Sequence, residues 1–272
     1  MKKIAITGAS GFIGRHLRRY LIQEKYEPFV FSRSLRDGYN FISDYRELPE
    51  FEIIIHLAEN SIRPEVNSFN KTYLKNEIEK FRYISSRAKE KIIYISSTSV
   101  YGDKFKKPNK TSRKLKHFDN YSYIKLANEE QTLSNNGLVL RLSNLFGEGM
   151  SKDNVVSKII NQINSSGPIF VHDERPVRDF LHVTDAVKII TRLSFSEYLG
   201  LYNVGSGLSV SIKDLINLLL KISNQSERDT ISTNPLSYFS SNVIDISAME
   251  KDIQWEYANK KYPLEERLRL LI

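Results

Sequence analysis

Apolar residues fall in short unbroken runs and then at helical spacing, and the two patterns alternate along the N-terminal half of the chain. Lys2–Thr7 reads as a buried strand, after which Phe12, Ile13, Leu17, Tyr20 and Leu21 recur on one helix face. Phe29–Ser32 predicts a second short strand and Glu52–Ala58 another, built on Ile53-Ile54-Ile55. The stretch from Lys71 to Glu90 is charged with an apolar stripe and predicts a solvated helix. Lys91–Ser97 predicts a strand, Tyr121–Ser134 a helix and Gly137–Leu142 a strand. Continuous rather than alternating apolar strands, separated by helices, belong to a parallel sheet covered on both faces. After Gly147 the rhythm changes: helices are expected at Val155–Asn164, Asp185–Phe195 and Ile212–Ser223, with short strands at Ile169–Val171 and Leu201–Gly205. Ser223–Ser241 is polar with one proline and predicts a loop.

Composition narrows the function classes. At 272 residues the chain can bury a core without staples, as one large domain or two modest ones. It has no cysteine, which removes disulfides, cysteine zinc sites and thiol nucleophiles together. The net charge of +8, from 40 basic and 32 acidic residues, admits anionic partners: nucleic acid, phosphates or acidic sugars. The basic residues are dispersed, and the densest run, Lys104 to Lys107, is short, so charge alone leaves a generally basic surface and a nucleic-acid footprint equally open, and the motifs below decide against nucleic acid. The longest apolar stretches, Ile53–Ala58 and Leu215–Leu220, fall far short of the roughly 18 residues of a membrane span. Lys2 and Lys3 imitate the charged start of a signal peptide, but Thr7, Gly8, Ser10 and Gly11 interrupt the apolar run. A cytoplasmic protein with no membrane association is expected.

The first strand and first helix are joined by Thr7-Gly8-Ala9-Ser10-Gly11-Phe12-Ile13-Gly14. A chain that lets a diphosphate reach its backbone N–H groups needs residues without Cβ atoms there, and the following helix supplies aligned donors and a favourable dipole. The context of strand, glycine turn and amphipathic helix marks a dinucleotide site of Rossmann type. The expected fold is therefore α/β: a Rossmann-type doubly wound parallel sheet over residues 1–147, rejoined by about 181–205. A smaller α/β C-terminal substrate lobe would comprise 148–180 and 206–272.

The glycine spacing, G-x-x-G-x-x-G, resembles that of the extended short-chain dehydrogenase/reductase family. The second strand ends Phe31-Ser32-Arg33-Ser34, with no acid to bind a ribose 2′-hydroxyl. Arg33, helped by Ser32 and Arg36, suits a 2′-phosphate instead, so NADP(H) is expected, with NAD(H) the alternative. Asp44 and Tyr45 stand where the family has an Asp and an apolar neighbour gripping the adenine.

Tyr121 and Lys125 form a Y-x-x-x-K pair on one face of a predicted helix, and Ser97 ends a strand 24 residues upstream. Tyr257 and Lys261 match the same pattern, but no strand-end serine precedes them. A free tyrosine is a poor base near neutrality. An ammonium beside it favours the phenolate, so Lys125 would activate Tyr121 while also bonding a nicotinamide ribose. Ser97 would hold the substrate oxygen near Tyr121.

Further stretches carry the resemblance on to the family's members acting on nucleotide sugars. His56-Leu57-Ala58 resembles the strand end beneath the cofactor, implicating Leu57 and Ala58, and Asn76 sits in the following helix as is common there. Ser97-Thr98-Ser99-Val100-Tyr101-Gly102 resembles S-x-x-V-Y-G, and Arg141 to Gly147 resembles R-x-x-N-x-[YF]-G, which implies that Asn144 meets a diphosphate. Arg178 to Val183 resembles R-D-[FY]-I-H-V, whose arginine binds diphosphate or nucleotide. Tyr202-Asn203-Val204-Gly205-Ser206-Gly207, Ile253-Gln254-Trp255 and Leu264–Leu270 continue the likeness to the C-terminus.

Departures from the pattern are informative. Thr98 and Ser99 replace the Asp-Glu pair that removes water in sugar dehydratases, which argues against dehydration and leaves Thr98 a substrate contact. Glu59 replaces a usually small residue and is expected to be an exposed loop acid. His172-Asp173-Glu174 stands where many relatives have glycine. The resemblance implies reduction of a 4-keto, 6-deoxy nucleotide sugar for a surface-glycan precursor, without a metal, in a homodimer joined through the helices around 71–90 and 121–134. The alternatives are a nucleotide-sugar 4-epimerase that keeps NAD⁺ bound, and a non-catalytic dinucleotide- or RNA-binding relative.

Overall fold

Unbroken apolar strands need cover on both faces, and the sheet of this chain provides such positions. The computed structural model describes residues 2–272. The chain runs through β1 (Ile4–Thr7), α1 (Phe12–Gln23), β2 (Phe29–Ser32), β3 (Asn40–Phe41), β4 (Phe51–His56), α2 (Arg63–Ser68) and α3 (Lys71–Ser86). There follow β5 (Ala88–Ser97), α4 (Asn120–Ser134), β6 (Leu138–Leu142), β7 (Asn144–Phe146), α5 (Val155–Ile163), β8 (Ile169–Val171), β9 (Val177–Arg178) and β10 (Phe180–His182). The remainder comprises α6 (Val183–Ser194), β11 (Gly200–Val204), β12 (Val210–Ser211), α7 (Ile212–Ile222), β13 (Thr230–Ser232), β14 (Ser241–Asn242), α8 (Ser247–Ile253) and α9 (Leu264–Arg269).

Seven strands form one sheet in the order β11-β6-β5-β4-β1-β2-β3, and every pairing from β6 to β3 is parallel. From β1 the order runs one way through β2 and β3 and the other way through β4, β5 and β6. That reversal leaves a crevice at the carboxyl ends of β1 and β4, where ligands of such sheets bind. The register sets Thr7 beside His56 and His56 beside Tyr94, so the chemistry-bearing ends of β1, β4 and β5 lie level. The core is the middle of the same strands: Ile54, Ile55 and Ile93 are fully buried, each worth about 1.5–3 kcal/mol of transfer free energy. The family-independent expectation of an α/β doubly wound sheet therefore holds.

The chain divides into two compact units: residues 1–100, 112–142 and 187–202 in one, and 101–111, 143–186 and 203–272 in the other. The segment 101–111 joins the second unit because Asn109 donates its backbone N–H to Val243 O at 2.8 Å, and its side chain bonds the same carbonyl at 3.1 Å. Within that unit β12, β9 and β14 form one small sheet, while β8 and β13 form another.

Two expectations about elements are corrected. The helix begun at Lys71 ends at Ser86 rather than Glu90, because Ala88 already pairs with Phe51 as the start of β5. The polar stretch 223–241 contains a strand as well as loop: Thr230, Ile231 and Ser232 run parallel to Ile169, Phe170 and Val171. Arg228 anchors its approach, with its guanidinium on Gly167 O at 2.7 Å and Gln162 O at 3.0 Å. Backbone pairing with a distant partner forms that strand, and no local alternation of apolar residues announces it.

A buried ion pair docks α4 on β6 of the sheet. Arg141 of β6 meets Glu129 of α4 through two guanidinium hydrogen bonds, and Ser96 of β5 donates to the same carboxylate. Removing one partner would strand the other charge in the core. Glu129→Gln is expected to lower the free energy of unfolding by roughly 3–5 kcal/mol, and Ser96→Ala by about 1 kcal/mol. Urea denaturation of the two variants checks both the order and the size.

Candidate active site

The turn between β1 and α1 is shaped by close approach. Gly8 has a φ of +69°, and a Cβ there would lie 2.7 Å from Ala58 N and Leu57 C, so only glycine lets the turn pass the end of β4. A Cβ on Gly14 would lie 2.4 Å from Gly8 O, which brings α1 hard against the turn. Gly11 is the N-cap of α1, and no side chain caps that end. The first N–H groups of the helix, from Phe12 and Ile13, are thus left for an anion beside Ser10. This cradle fits the diphosphate of a dinucleotide.

Tyr45 supports the cradle from below. Its hydroxyl accepts from Gly8 N at 3.1 Å, donates to Phe31 O at 3.4 Å, and its ring packs in the core with Phe31, Phe51 and Ile54. Asp44 caps the 3₁₀ turn that follows, accepting from Arg46 N at 2.8 Å, and the Arg46 side chain holds its carboxyl below the usual range. At the end of β2, Ser32 is buried with its hydroxyl taken by Ser34 N at 3.1 Å, whereas Arg33 is exposed.

The second cluster is built on α4. Asp119 caps this helix in a reciprocal box with Ser122, and Arg63 and Asn67 of α2 hold the Asp119 carboxylate at 2.7 and 3.1 Å. Asn67 also accepts from Tyr121 N at 3.0 Å. So α2, an element absent from the sequence expectation, sets the start of α4. Tyr121, Lys125 and Asn128 then share one helix face. The Lys125 ammonium donates to Ile95 O at 2.9 Å, lies 2.6 Å from Glu59 Oε2, and sits 5.0 and 5.8 Å from the ring centres of Tyr94 and Tyr121.

Glu59 is accordingly no exposed loop acid. Its side chain is 12% exposed, and it also accepts from Tyr94 OH at 2.8 Å and Asn128 Nδ2 at 2.7 Å. Burial acts to raise Glu59, but the Lys125 ammonium and the hydrogen bonds the carboxylate accepts hold it below the ordinary carboxylate range. Burial acts to lower Lys125, and Glu59 and Tyr121 together hold it above the ordinary lysine value. Burial and then the neighbouring carboxylate push Tyr94 well above a free phenol, so it donates throughout the physiological range.

Ser97 ends β5, shares a hydrogen bond with Ser99 Oγ at 2.9 Å and accepts from Ser99 N at 3.2 Å. Thr98 is buried on the 3₁₀ turn after it. By contrast, Tyr257 and Lys261 lie among turns rather than on a helix, and the Tyr257 hydroxyl accepts from Arg267 at 2.8 Å.

Residues 4–205 match the sequence profile of the NAD dependent epimerase/dehydratase family. The chain belongs to that family. It is an NAD(P)-dependent oxidoreductase of the extended short-chain dehydrogenase type. It is similar to the dTDP-4-dehydro-6-deoxyglucose reductase of Escherichia coli, 25% identical over 93% of this chain and 92% of that one. It is also similar to the GDP-6-deoxy-D-talose 4-dehydrogenase of Aggregatibacter actinomycetemcomitans, 28% identical over 81% of this chain and 80% of that one. Among solved structures, RMD from Pseudomonas aeruginosa complexed with NADPH has the same fold, with a TM-score of 0.85 and 24% identity over 100% of this chain and 97% of that one.

The remaining motif residues of this family member lie in the second unit. Asn144 of β7 donates its side-chain amide to Asp179 O at 3.1 Å. Arg178 of β9 donates to Ser240 Oγ at 2.8 Å and lies 3.8 Å from Asp103 Oδ2, and burial pulls its guanidinium below the ordinary value. Asp173, within the His172-Asp173-Glu174 stretch, is held by Arg175 at 2.9 and 2.8 Å and by Leu236 N at 2.9 Å. Among the described residues no helix is long and apolar enough to cross a membrane.

Sequence reading passed over Tyr94 and Asn128. Their signals were a single polar atom in the apolar strand Ile92–Ile95 and an amide three residues beyond Lys125 on its helix face. His56, named only as a strand end, has a definite electronic role. Its Nδ1 lies 2.8 Å from Thr7 Oγ1, which also accepts from Leu57 N at 3.3 Å, so the ring is tied to the end of β1. Nε2 has no hydrogen-bond partner and lies 4.0 Å from Glu59 Oε1. Burial lowers His56 from 6.5 to about 4, so the folded protein keeps it neutral while the unfolded chain takes up a proton first. Its contribution to stability is therefore complete above 6.5 and lost as pH falls toward about 4. The loss amounts to about 3 kcal/mol. His56→Gln is expected to flatten the pH dependence of unfolding across this window, measured by urea denaturation at a series of pH values.

Proposed function

We propose that the chain reduces a 4-keto, 6-deoxy nucleotide sugar with NADPH, Tyr121 giving its proton to the C4 oxygen. The observation that carries the reading is the buried α4 face, where Tyr121 stands beside an ammonium fixed by Ile95 O and Glu59. The hydroxyls of Thr98 and Ser99, the latter paired with Ser97 Oγ, support it as well, since they stand where dehydration needs an acid and a base. When bound, the reduced nicotinamide supplies a hydride to C4. Ser97 holds the ketone oxygen by a hydrogen bond, and Tyr121 donates to that oxygen as charge develops on it. The phenolate left behind is stabilised by Lys125 and regains a proton from solvent. Lys125 also orients the nicotinamide ribose, and the N–H groups of Phe12 and Ile13 take the diphosphate.

Likeness to a dTDP-sugar reductase and a GDP-sugar dehydrogenase supports a nucleotide-sugar substrate, with the second unit as its lobe and Thr98, Asn144 and Arg178 as its contacts. The exposed Arg33 and the lack of an acid at the end of β2 support NADP(H) over NAD(H). A cytoplasmic homodimer completes the proposal. Its natural face is the groove of about 770 Å³ between α3 and the start of α4, lined by Leu74, Ile78, Phe118 and Tyr123.

The nearest rival is a 4-epimerase, which uses the same tyrosine, lysine and serine, and epimerases are among the similar proteins. Dinucleotide released from freshly purified protein separates the two. The reductase reading expects little bound NAD⁺ and turnover of a 4-keto nucleotide sugar with added NADPH. Stoichiometric NAD⁺ would overturn it in favour of the epimerase. Tyr121→Phe should cut turnover by about 10²-fold or more while leaving dinucleotide affinity intact. Unchanged biological activity in that variant would point to a non-catalytic relative. Arg33→Asp should shift the affinity ratio from NADPH toward NADH, and an unchanged ratio removes the 2′-phosphate assignment.

A further inference from the structure

The geometry points to Glu59 as the positioning residue of this site: its carboxylate is the built-in counter-charge that lets Lys125 remain an ammonium, held at one point beside Tyr121. The inference rests on reading Tyr121 and Lys125 as the proton-handling pair. Lys125 is 7% exposed, and an unpaired ammonium at that depth would be discharged by burial. Two of its three protons are committed, one to Ile95 O at 2.9 Å and one to Glu59 Oε2 at 2.6 Å. The third is left for chemistry.

Glu59 is itself fixed and cannot act as a proton donor to substrate. It follows the end of β4 in a tight turn, its N–H on Leu57 O at 2.9 Å. Its oxygens are filled by Tyr94 OH at 2.8 and 3.0 Å, Asn128 Nδ2 at 2.7 Å and Lys125. Neutral His56 faces Oε1 from 4.0 Å without adding charge. The other charged or titratable groups acting on Lys125 or His56 are Tyr121 and Glu129 on α4 and Lys80 on α3. Tyr73 and Glu77 of α3 line the small cleft that Glu59, Tyr121 and Lys125 share. Glu129 is already paired with Arg141, so Glu59 is the carboxylate that balances Lys125.

The test is the pH dependence of NADPH and NADH affinity, read from the fluorescence of the bound reduced dinucleotide. In Glu59→Gln the alkaline loss of binding should begin at a pH lower by roughly one unit or more. Lys125→Arg in the Glu59→Gln background should bring the alkaline limb back to that of Lys125→Arg alone, because a guanidinium keeps its charge. If Glu59→Gln does not fold, Glu59→Ala is read in the same way. Affinity lowered equally at every pH, affinity unchanged, or an alkaline limb that arginine does not restore would each overturn the inference. No sugar substrate enters these measurements, so failure of the reductase reading would show separately, as absent turnover with the alkaline shift intact.

Discussion

Two buried ion pairs pin α4 to the sheet, and the arrangement at the carboxyl ends of the strands follows from them. Lys125 and Glu129 lie four residues apart and therefore on one side of the helix. Lys125 reaches Glu59 beyond β4, and Glu129 reaches Arg141 on β6. Pairs of this kind add little net stability compared with apolar packing, because desolvation offsets most of the Coulomb gain. Their value lies in geometry. Each charge has only one low-energy place to be, so the helix cannot rotate or slide without exposing an unpaired ion to the core. Tyr121, one turn before Lys125, inherits that fixed position.

The other half of the site depends on the absence of atoms rather than their presence. Gly8 and Gly14 let the first turn, the end of β4 and the start of α1 meet at distances no side chain tolerates. Tyr45 then stiffens the turn from beneath, its hydroxyl held on Gly8 N. A rigid cradle of backbone N–H groups suits an anion because the donors need no reordering when it arrives.

Glu59 shows how a buried acid can be read wrongly from its neighbours in the chain. After His56-Leu57-Ala58 the sequence turns polar, and an acid there is ordinarily solvated. It is instead drawn inward by an ammonium, a phenol and an amide contributed by residues 35 to 69 positions away. The same set of contacts makes it a poor proton donor and a good counter-charge, which separates its role from that of Tyr121.

Local physics sufficed for much of this molecule. Period and run length announce the parallel strands and the helices between them, since each reports the surface that its own segment must bury. The glycine turn was legible because φ and close approach restrict residue type at that point alone. Tyr121 and Lys125 were legible because helical spacing places them together whatever the rest of the chain does. What only the tertiary structure decided were the partners brought from far along the chain: Glu59 with Lys125, Asn67 with Tyr121 N, Tyr45 with Gly8, and β13 with β8. Those pairings depend on which buried polar groups come within reach of one another once the sheet is assembled. Burial forces each to find a partner, but no local pattern says which one.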